Sequence, residues 1–425
     1  MKRLLPVLAL FALFACTKKN GSPNGPAPVI GTIFPDSGHY ATVLTIIGSH
    51  FSPVAAENMV LIDSVKATVL HATADSLVVS VPSAGTGHVV VVTDAGSTRG
   101  PLFTYLTDIV VSGRQTDFTY GANYSVAVYW NNGHAIRLTD GHSNAEALCI
   151  TGAGNDIYIG GHEYTGMYRI ARIWKNGVAT AISGQTQNAD INALVLVGKD
   201  VYAAGYLNTG GKDMAVVWKN GVVTVLSDTS RDCYATGMAV SGNDIYVCGY
   251  SIDPLKLHGQ AILWKNGMAT YLSDSAHDAW ANAIAVSGTD VWVAGCTRGN
   301  GWRIPTYWKN GAQIIVPSGL KTGAFSSVSA GSNAVYMTGT LTDPYSNNTS
   351  VLVYFTGYPS YYIPPPPGGY AGGNSVMLDG PDVYVSGVVG YPYPRAHYWK
   401  NGVDSLMDSG SDKVENITTG LLIRR

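Results

Sequence analysis

The sequence is short of charge. Only 13% of its 425 residues are Asp, Glu, Lys or Arg, about half the share of an ordinary soluble domain. The formal net charge is −2, so the chain offers no broad cationic field for nucleic acid or an anionic lipid surface. Cysteine is scarce as well, with five residues in all, and none forms the close pairs that a zinc site needs. The ten histidines include no His-Glu-x-x-His pair, and no Gly-x-Ser-x-Gly elbow for a nucleophilic serine occurs. No metal and no cofactor are expected on these grounds. The one long apolar run, Leu4 to Ala15, is too short to span a bilayer as a stable helix. Glycine is plentiful, at 50 residues, which disfavours a mostly helical chain. Hydrophobic residues make up 46%, which argues against a disordered one.

Lys2-Arg3 followed by Leu4 to Ala15 has the form of a secretory signal, ended by Cys16. Leu13-Phe14-Ala15-Cys16 resembles a bacterial lipobox. The resemblance implies that residues 1–15 are removed and that lipidated Cys16 becomes the N-terminus, anchoring the protein to a membrane by acyl chains. Residues 16–26, rich in Asn, Gly, Ser and Pro, read as the lipidated Cys and a flexible tether spanning at most roughly 35 Å. Position 17 is Thr rather than Asp, which by the enterobacterial sorting rule implies the outer membrane. Thr17-Lys18-Lys19-Asn20 lacks the acidic residues usual in surface-exported lipoproteins of Bacteroidetes, so the periplasmic and surface faces both stay open. Cys149, Cys233, Cys248 and Cys296 are expected as buried free thiols. The hairpin register sets Cys248 opposite Gly237, not opposite Cys233.

Residues 27–106 alternate short β-rich runs with turn signals, at Val43 to Ile47, Met59 to Ile62, Leu77 to Val81 and Val89 to Thr93, and predict a small β-sandwich. Ile33-Phe34-Pro35-Asp36-Ser37-Gly38, Leu44-Thr45-Ile46-Ile47-Gly48 with Phe51, Val81-Pro82, Gly87, Phe103 and Tyr105 follow in the order of an IPT/TIG domain, an immunoglobulin-like module that the segment resembles. That resemblance implies a stalk, spacer or binding module without catalytic residues.

From residue 107 to 425 the chain repeats itself. Trp-Lys-Asn-Gly occurs at Trp174, Trp218, Trp264, Trp308 and Trp399, with Trp130-Asn131-Asn132-Gly133 and Tyr354-Phe355-Thr356-Gly357 filling the remaining places. A second motif, Asp-Val/Ile-Tyr/Trp, keeps the same beat at Asp156, Asp200, Asp244, Asp290 and Asp382, with Asp108-Ile109-Val110 and Ala334-Val335-Tyr336 completing the series. Seven copies of roughly 45 residues, each with about four short strands, match the period of a propeller blade. The first copy lacks its opening strand, and Asn416 to Ile423 supplies a surplus one at the other end. The expected fold is therefore all-β: an immunoglobulin-like β-sandwich followed by a seven-bladed β-propeller closed by the C-terminal strand. The recurring Trp and Tyr are expected to fill the gap between neighbouring blades.

In such a blade the a–b and c–d turns share one face and the b–c and d–a connections the other. The first set is uniform and tight, the second variable, so function is placed on the variable face. Its b–c loops are Arg114 to Tyr124, Glu163 to Tyr168, Ser251 to His258, Arg298 to Arg303, Pro344 to Asn348 and Tyr391 to Arg395. His142, His162, His258 and His277 are read as solvated loop residues there. Ten residues before the strand-b Asp stand Glu146, Asp190, Tyr234 and Trp280; twelve before stand Asn144, Asn188, Asp232 and Asp278. Equivalent positions in neighbouring blades approach one another around the axis. Glu146, Asp190, Asp232, Tyr234, Asp278 and Trp280 are thus candidate ligand-binding residues, because aromatic faces stack on sugars while carboxylates and amides bond hydroxyls. A bound cation is a further reading of the same arc. Loop Asn and Asp forming turns, with aromatics packed between blades, is the other reading of these residues.

As a whole, the chain resembles envelope lipoproteins of Bacteroidetes-like bacteria that join an IPT/TIG module to a propeller. The resemblance implies a binding protein recognising a glycan or an envelope protein, with no nucleic-acid partner. Two alternatives stand beside it: a propeller hydrolase or lyase acting on polysaccharide, in which Asp190 with Glu146 would be the acid/base pair, and a purely structural envelope scaffold.

Overall fold

The computed structural model describes residues 25–424 apart from 83, 119–123, 228–229, 254–257, 300, 320, 332–333, 357–360, 368, 391–392 and 408–413. The leader, Cys16 and most of the tether lie outside the described residues, as do parts of four of the expected b–c loops and Gly357. The chain divides into two compact units between Leu106 and Thr107. Among the described residues no helix is long and apolar enough to cross a membrane.

The first unit is built of eight strands, paired in the order Val29–Phe34, Val43–Ser49, Ser76–Ser80, Val65–Ala72, Met59–Ile62, Gly87–Thr93, Gly96–Tyr105 and Ser37–Gly38. Alternation along each strand decides what is buried. Leu44 and Ile46, Val60 and Ile62, Leu77 and Val79, and Val89 and Val91 all point into one core around Phe103. Ile33 is inside that core while the next residue, Phe34, stands 77% exposed. Val65–Ala72 and Gly96–Tyr105 are strands outside the expected runs. Lys66, His71, Arg99 and Gly100 dilute their apolar alternation.

In the second unit each repeat folds into a four-stranded antiparallel sheet. Repeat 3 is typical, with strand a at Ala189–Val197, b at Asp200–Thr209, c at Lys212–Lys219 and d at Val222–Val225. Five such sheets stand separately, and the sixth and seventh repeats are joined in one larger sheet by the single parallel pair Thr349–Tyr370. In the first sheet, Val414–Arg424 supplies strand a to Asp108–Asp117. Strand a of each repeat lies against strand a of the next, and the last lies against Val414–Arg424, which in turn lies against Ala145–Ala153. The cycle closes around a narrow central channel of about 200 Å³, lined from strand a of every repeat. The unit is a β-propeller.

The two sequence motifs are a single clasp. Asn176 has φ 49° and Gly177 φ 85°, and the five other Asn-Gly pairs match them, the backbone of a two-residue hairpin turn with both central residues left-handed. The Asn176 amide donates to Asp156 at 2.7 Å while its oxygen accepts the Ile157 N–H at 2.8 Å. Lys175 reaches the other Asp156 oxygen at 2.7 Å and lies over the Tyr158 ring. The same set recurs at Asp200, Asp244, Asp290 and Asp382. In the first repeat Asn131 occupies the lysine position, and Arg424 from the closing strand binds Asp108 instead, at 2.8 Å. The tetrad tryptophans are buried between sheets.

Strand a carries a β-bulge in every repeat, for example between Ile191 and Ala193. The bulge drives the preceding strand-a carbonyl onto strand b. A Cβ at Gly205 would strike the Asp190 carbonyl, one at Gly249 that of Tyr234, and one at Gly295 that of Trp280. The equivalent contact exists in all seven repeats, so this strand-b position admits only glycine.

Candidate functional site

The bulge residue of each strand a turns toward the channel, and most of them tie one sheet to the next. Asn192 donates to the Ala235 carbonyl at 2.8 Å, Thr236 to Ala281 at 2.7 Å, Asn282 to Phe325 at 2.7 Å and Asn374 to Thr418 at 2.5 Å. Thr419 bonds Ala147 across the closure. Leu148 is the apolar member of this belt.

The residue two positions before each bulge lies in the gap facing the preceding sheet, on the side of the b–c connections. In the first gap Arg114 pairs with Glu146, and it also approaches Glu415 at 3.8 Å. In the second, Asp190 is 4% exposed; it meets His162 at 2.9 Å and Arg169 at 3.3 Å. In the third, the Tyr234 hydroxyl donates to Asp213 at 2.7 Å, and its ring lies 5.3 Å from Tyr206 and 5.1 Å from Tyr250. In the next, Trp280 carries the Arg303 guanidinium 4.8 Å from its ring centre. Glu146 and Asp190 thus occupy different gaps, each paired with its own arginine, Arg114 and Arg169.

The residues two positions earlier have a backbone task. Asn144 accepts the N–H of Ser125, Asn188 that of Arg169, Asp232 that of Asp213 and Asp278 that of Gly259, in each case capping the start of strand c of the preceding sheet. Asp232 also lies 3.6 Å from Lys212. Asp278 also holds His258 and Arg298, both at 3.0 Å. Burial raises the Asp278 pKa, but the Gly259 N–H, His258 and Arg298 outweigh it and hold the carboxyl below its ordinary range.

Two expectations are corrected here. His162 is not a solvated loop residue: it sits in strand b, 5% exposed, bonded to Asp190. Glu163 to Tyr168 and Arg298 to Arg303 are not loops, because strands b and c run on as ladders to Thr165–Tyr168 and to Gly299–Trp302. The register and the free state of the cysteines match the sequence reading: Cys248 faces Gly237, and Cys149, Cys233, Cys248 and Cys296 are free thiols. Three of the four are buried, and Cys149 is partly so.

A cavity of about 530 Å³ opens at the channel mouth between the second and fifth sheets, lined by Arg169, Asn192, Tyr206, Asp213, Tyr234, Thr236, Tyr250, Ile252 and Asn282. Of the six candidates only Tyr234 lines it; Asp190 reaches it through Arg169. Tyr206 and Tyr250 were missed by reading strand a alone. They share one column of the repeat, six residues after the strand-b Asp, with Arg114, His162 and Cys296. A column so mixed within an otherwise uniform strand is the available signal. Burial and the nearby Asp190 raise the Tyr206 pKa, and burial with the Asp213 bond raises that of Tyr234, so both phenols stay protonated. A second hollow of about 530 Å³ lies at the rim of the fifth and sixth sheets, with Trp302 half-exposed and Tyr345 81% exposed.

Residues 28–105 match the model of the IPT/TIG domain. No curated protein matches the chain. Similar solved structures include an auxiliary nutrient binding protein from Bacteroides thetaiotaomicron, at 12% identity and TM-score 0.33, covering 85% of this chain and 95% of that one. Another is an auxiliary nutrient binding protein from Bacteroides ovatus, at 14% identity and TM-score 0.32, covering 85% and 96%. TolB from Acinetobacter baumannii aligns at 9% identity and TM-score 0.42, covering 64% and 74%.

Proposed function

We propose that the chain is a cell-envelope-anchored binding lipoprotein whose propeller recognises a glycan at the channel mouth. Residues 1–15 are its signal peptide, Cys16 carries the outer-membrane lipid anchor, residues 16–26 form the tether, and residues 27–106 act as spacer. The observation that carries the reading is the wall of Tyr206, Tyr234 and Tyr250 beside Asn192, Asn282 and Asp213 in one cavity. Its volume, about 530 Å³, falls in the range of small-ligand sites. Aromatic faces with a few fixed polar groups suit the C–H faces and hydroxyls of a sugar ring. The hydrolase or lyase reading is less well supported, because Glu146 and Asp190 are each held by a neighbouring arginine in separate gaps rather than poised as a pair.

The test is a panel of oligosaccharides against the chain from residue 16 onward with Cys16→Ser. Binding is expected to weaken at least tenfold in Tyr250→Ala and Tyr234→Ala. Loss in Trp302→Ala with no loss in the tyrosine variants would move the site to the rim hollow. Capture of an envelope protein with no glycan binding would favour the protein-partner reading. Release of products from polysaccharide, abolished by Asp190→Asn, would favour the enzyme. Acyl labelling of the full chain, lost in Cys16→Ser, tests the anchor.

A further inference from the structure

The charge ledger of the cavity names the kind of sugar it admits, an inference that rests on the glycan reading above. Arg169, the cation among the described lining residues, is already held by Asp190 at 3.3 Å. Asp232, behind Tyr234, has Lys212 at 3.6 Å. Arg303 lies outside the lining, over Trp280. Asp213 is different, because among the described residues its carboxylate is bonded by neutral donors: the Tyr234 hydroxyl at 2.7 Å and the Asn208 amide at 2.8 Å. A partly buried carboxylate bonded by neutral partners has spare lone pairs for further donors.

The floor of the cavity adds acceptors. Asn192 and Asn282 turn their amide nitrogens to the carbonyls of Ala235 and Phe325, and Thr236 donates its hydroxyl to Ala281. Among the described residues both amide oxygens are thereby left for a ligand, while the Thr236 hydroxyl also touches Cys248, 3.6 Å from its Sγ. Such a surface takes hydrogen-bond donors and repels anions. We infer that Asp213 is a specificity-determining residue: it receives a hydroxyl or ammonium of a neutral or amino sugar, and it excludes carboxylated and sulfated sugars.

The experiment compares neutral, amino and uronic-acid oligosaccharides of equal length on the chain from residue 16 with Cys16→Ser, alongside Asp213→Asn and Asp213→Glu, each checked for an unchanged melting transition. The expected result is neutral or amino sugars bound about tenfold tighter than uronides by the unaltered chain, a preference that narrows at least threefold in Asp213→Asn and persists in Asp213→Glu. Uronides bound as tightly as neutral sugars, or a preference unmoved by Asp213→Asn, would overturn the role of Asp213 while leaving the glycan reading intact. No binding by any sugar would overturn both. Should Asp213→Asn fail to fold, the salt dependence of uronide binding by the unaltered chain decides: exclusion by charge relaxes as salt rises, and exclusion that salt does not change overturns the inference.

Discussion

Arg424 meets Asp108 at 2.8 Å, with side chains only 9% and 2% exposed, and joins the last strand of the chain to the first strand of the ring. Removing one partner of a buried pair leaves the other charge uncompensated, at a cost of about 3–5 kcal/mol. Asp108→Ala is therefore expected to lower the urea midpoint sharply. Asp108→Asn combined with Arg424→Met should recover much of that loss. Equal destabilisation in the single and double variants would show that the charge pair is not the cause.

The belt around the channel predicts a gain as well as a loss. Asn282→Leu leaves the Phe325 carbonyl without its side-chain donor, at a cost of about 1–3 kcal/mol. Leu148→Asn sets an amide where most of the other bulge residues make their tie, facing the Ile191 carbonyl, and is expected to add about 0.5–1.5 kcal/mol. Thermal unfolding of the two variants checks both signs.

Gly249→Ala pushes a methyl group against the Tyr234 carbonyl. Backbone meets side chain there, so relief requires a strand shift, and a destabilisation of about 3 kcal/mol is expected. Gly267→Ala has open space around it but a left-handed φ of 82°. Its smaller loss should leave glycan binding intact, whereas Gly249→Ala should disturb it.

Acid should weaken the ring in a defined direction. The lysine and amide of each clasp hold Asp156, Asp200, Asp244 and Asp290 below their ordinary range. A depressed folded pKa means that the unfolded chain binds these protons first as pH falls. The contribution is thus complete above about pH 3.9 and is lost progressively below it. Urea titrations at descending pH check this, and Lys175→Met should shallow the acid slope.

The four thiols should stay silent in the native protein. Burial pushes Cys248 up to about 12 and Cys296 up to about 11, so little thiolate exists at neutral pH. A thiol reagent is expected to titrate none of Cys149, Cys233, Cys248 and Cys296 before denaturation and all four after it.

The ring was legible because its repeat is written in residues with strict geometric duties: Asn-Gly for the hairpin, Trp for the gap, Asp for the clasp. The closure was legible too, since Asn416 to Ile423 had no other place to pair. The site was less so. Asp190 and Asp278 looked like ligand residues because the partners that occupy them, His162, Arg169, His258 and Arg298, lie 20 to 28 residues away in sequence. The bulges escaped notice because they break strand alternation by a single residue, and with them the belt that turns Asn192 and Asn282 toward the channel.

The contact between the strand-b glycines and the carbonyls opposite is made without any side chain of the residue that presses on them. Ile417, Glu146, Asp190, Tyr234, Trp280, Ala324 and Gly372 occupy that same backbone seat in turn around the ring. The seat is indifferent to what it carries. The backbone contact leaves the chemistry at each of the seven stations to its side chain and that side chain's neighbours, which makes the gaps between sheets, on the side of the b–c connections, the place where relatives of this protein would diverge in what they hold.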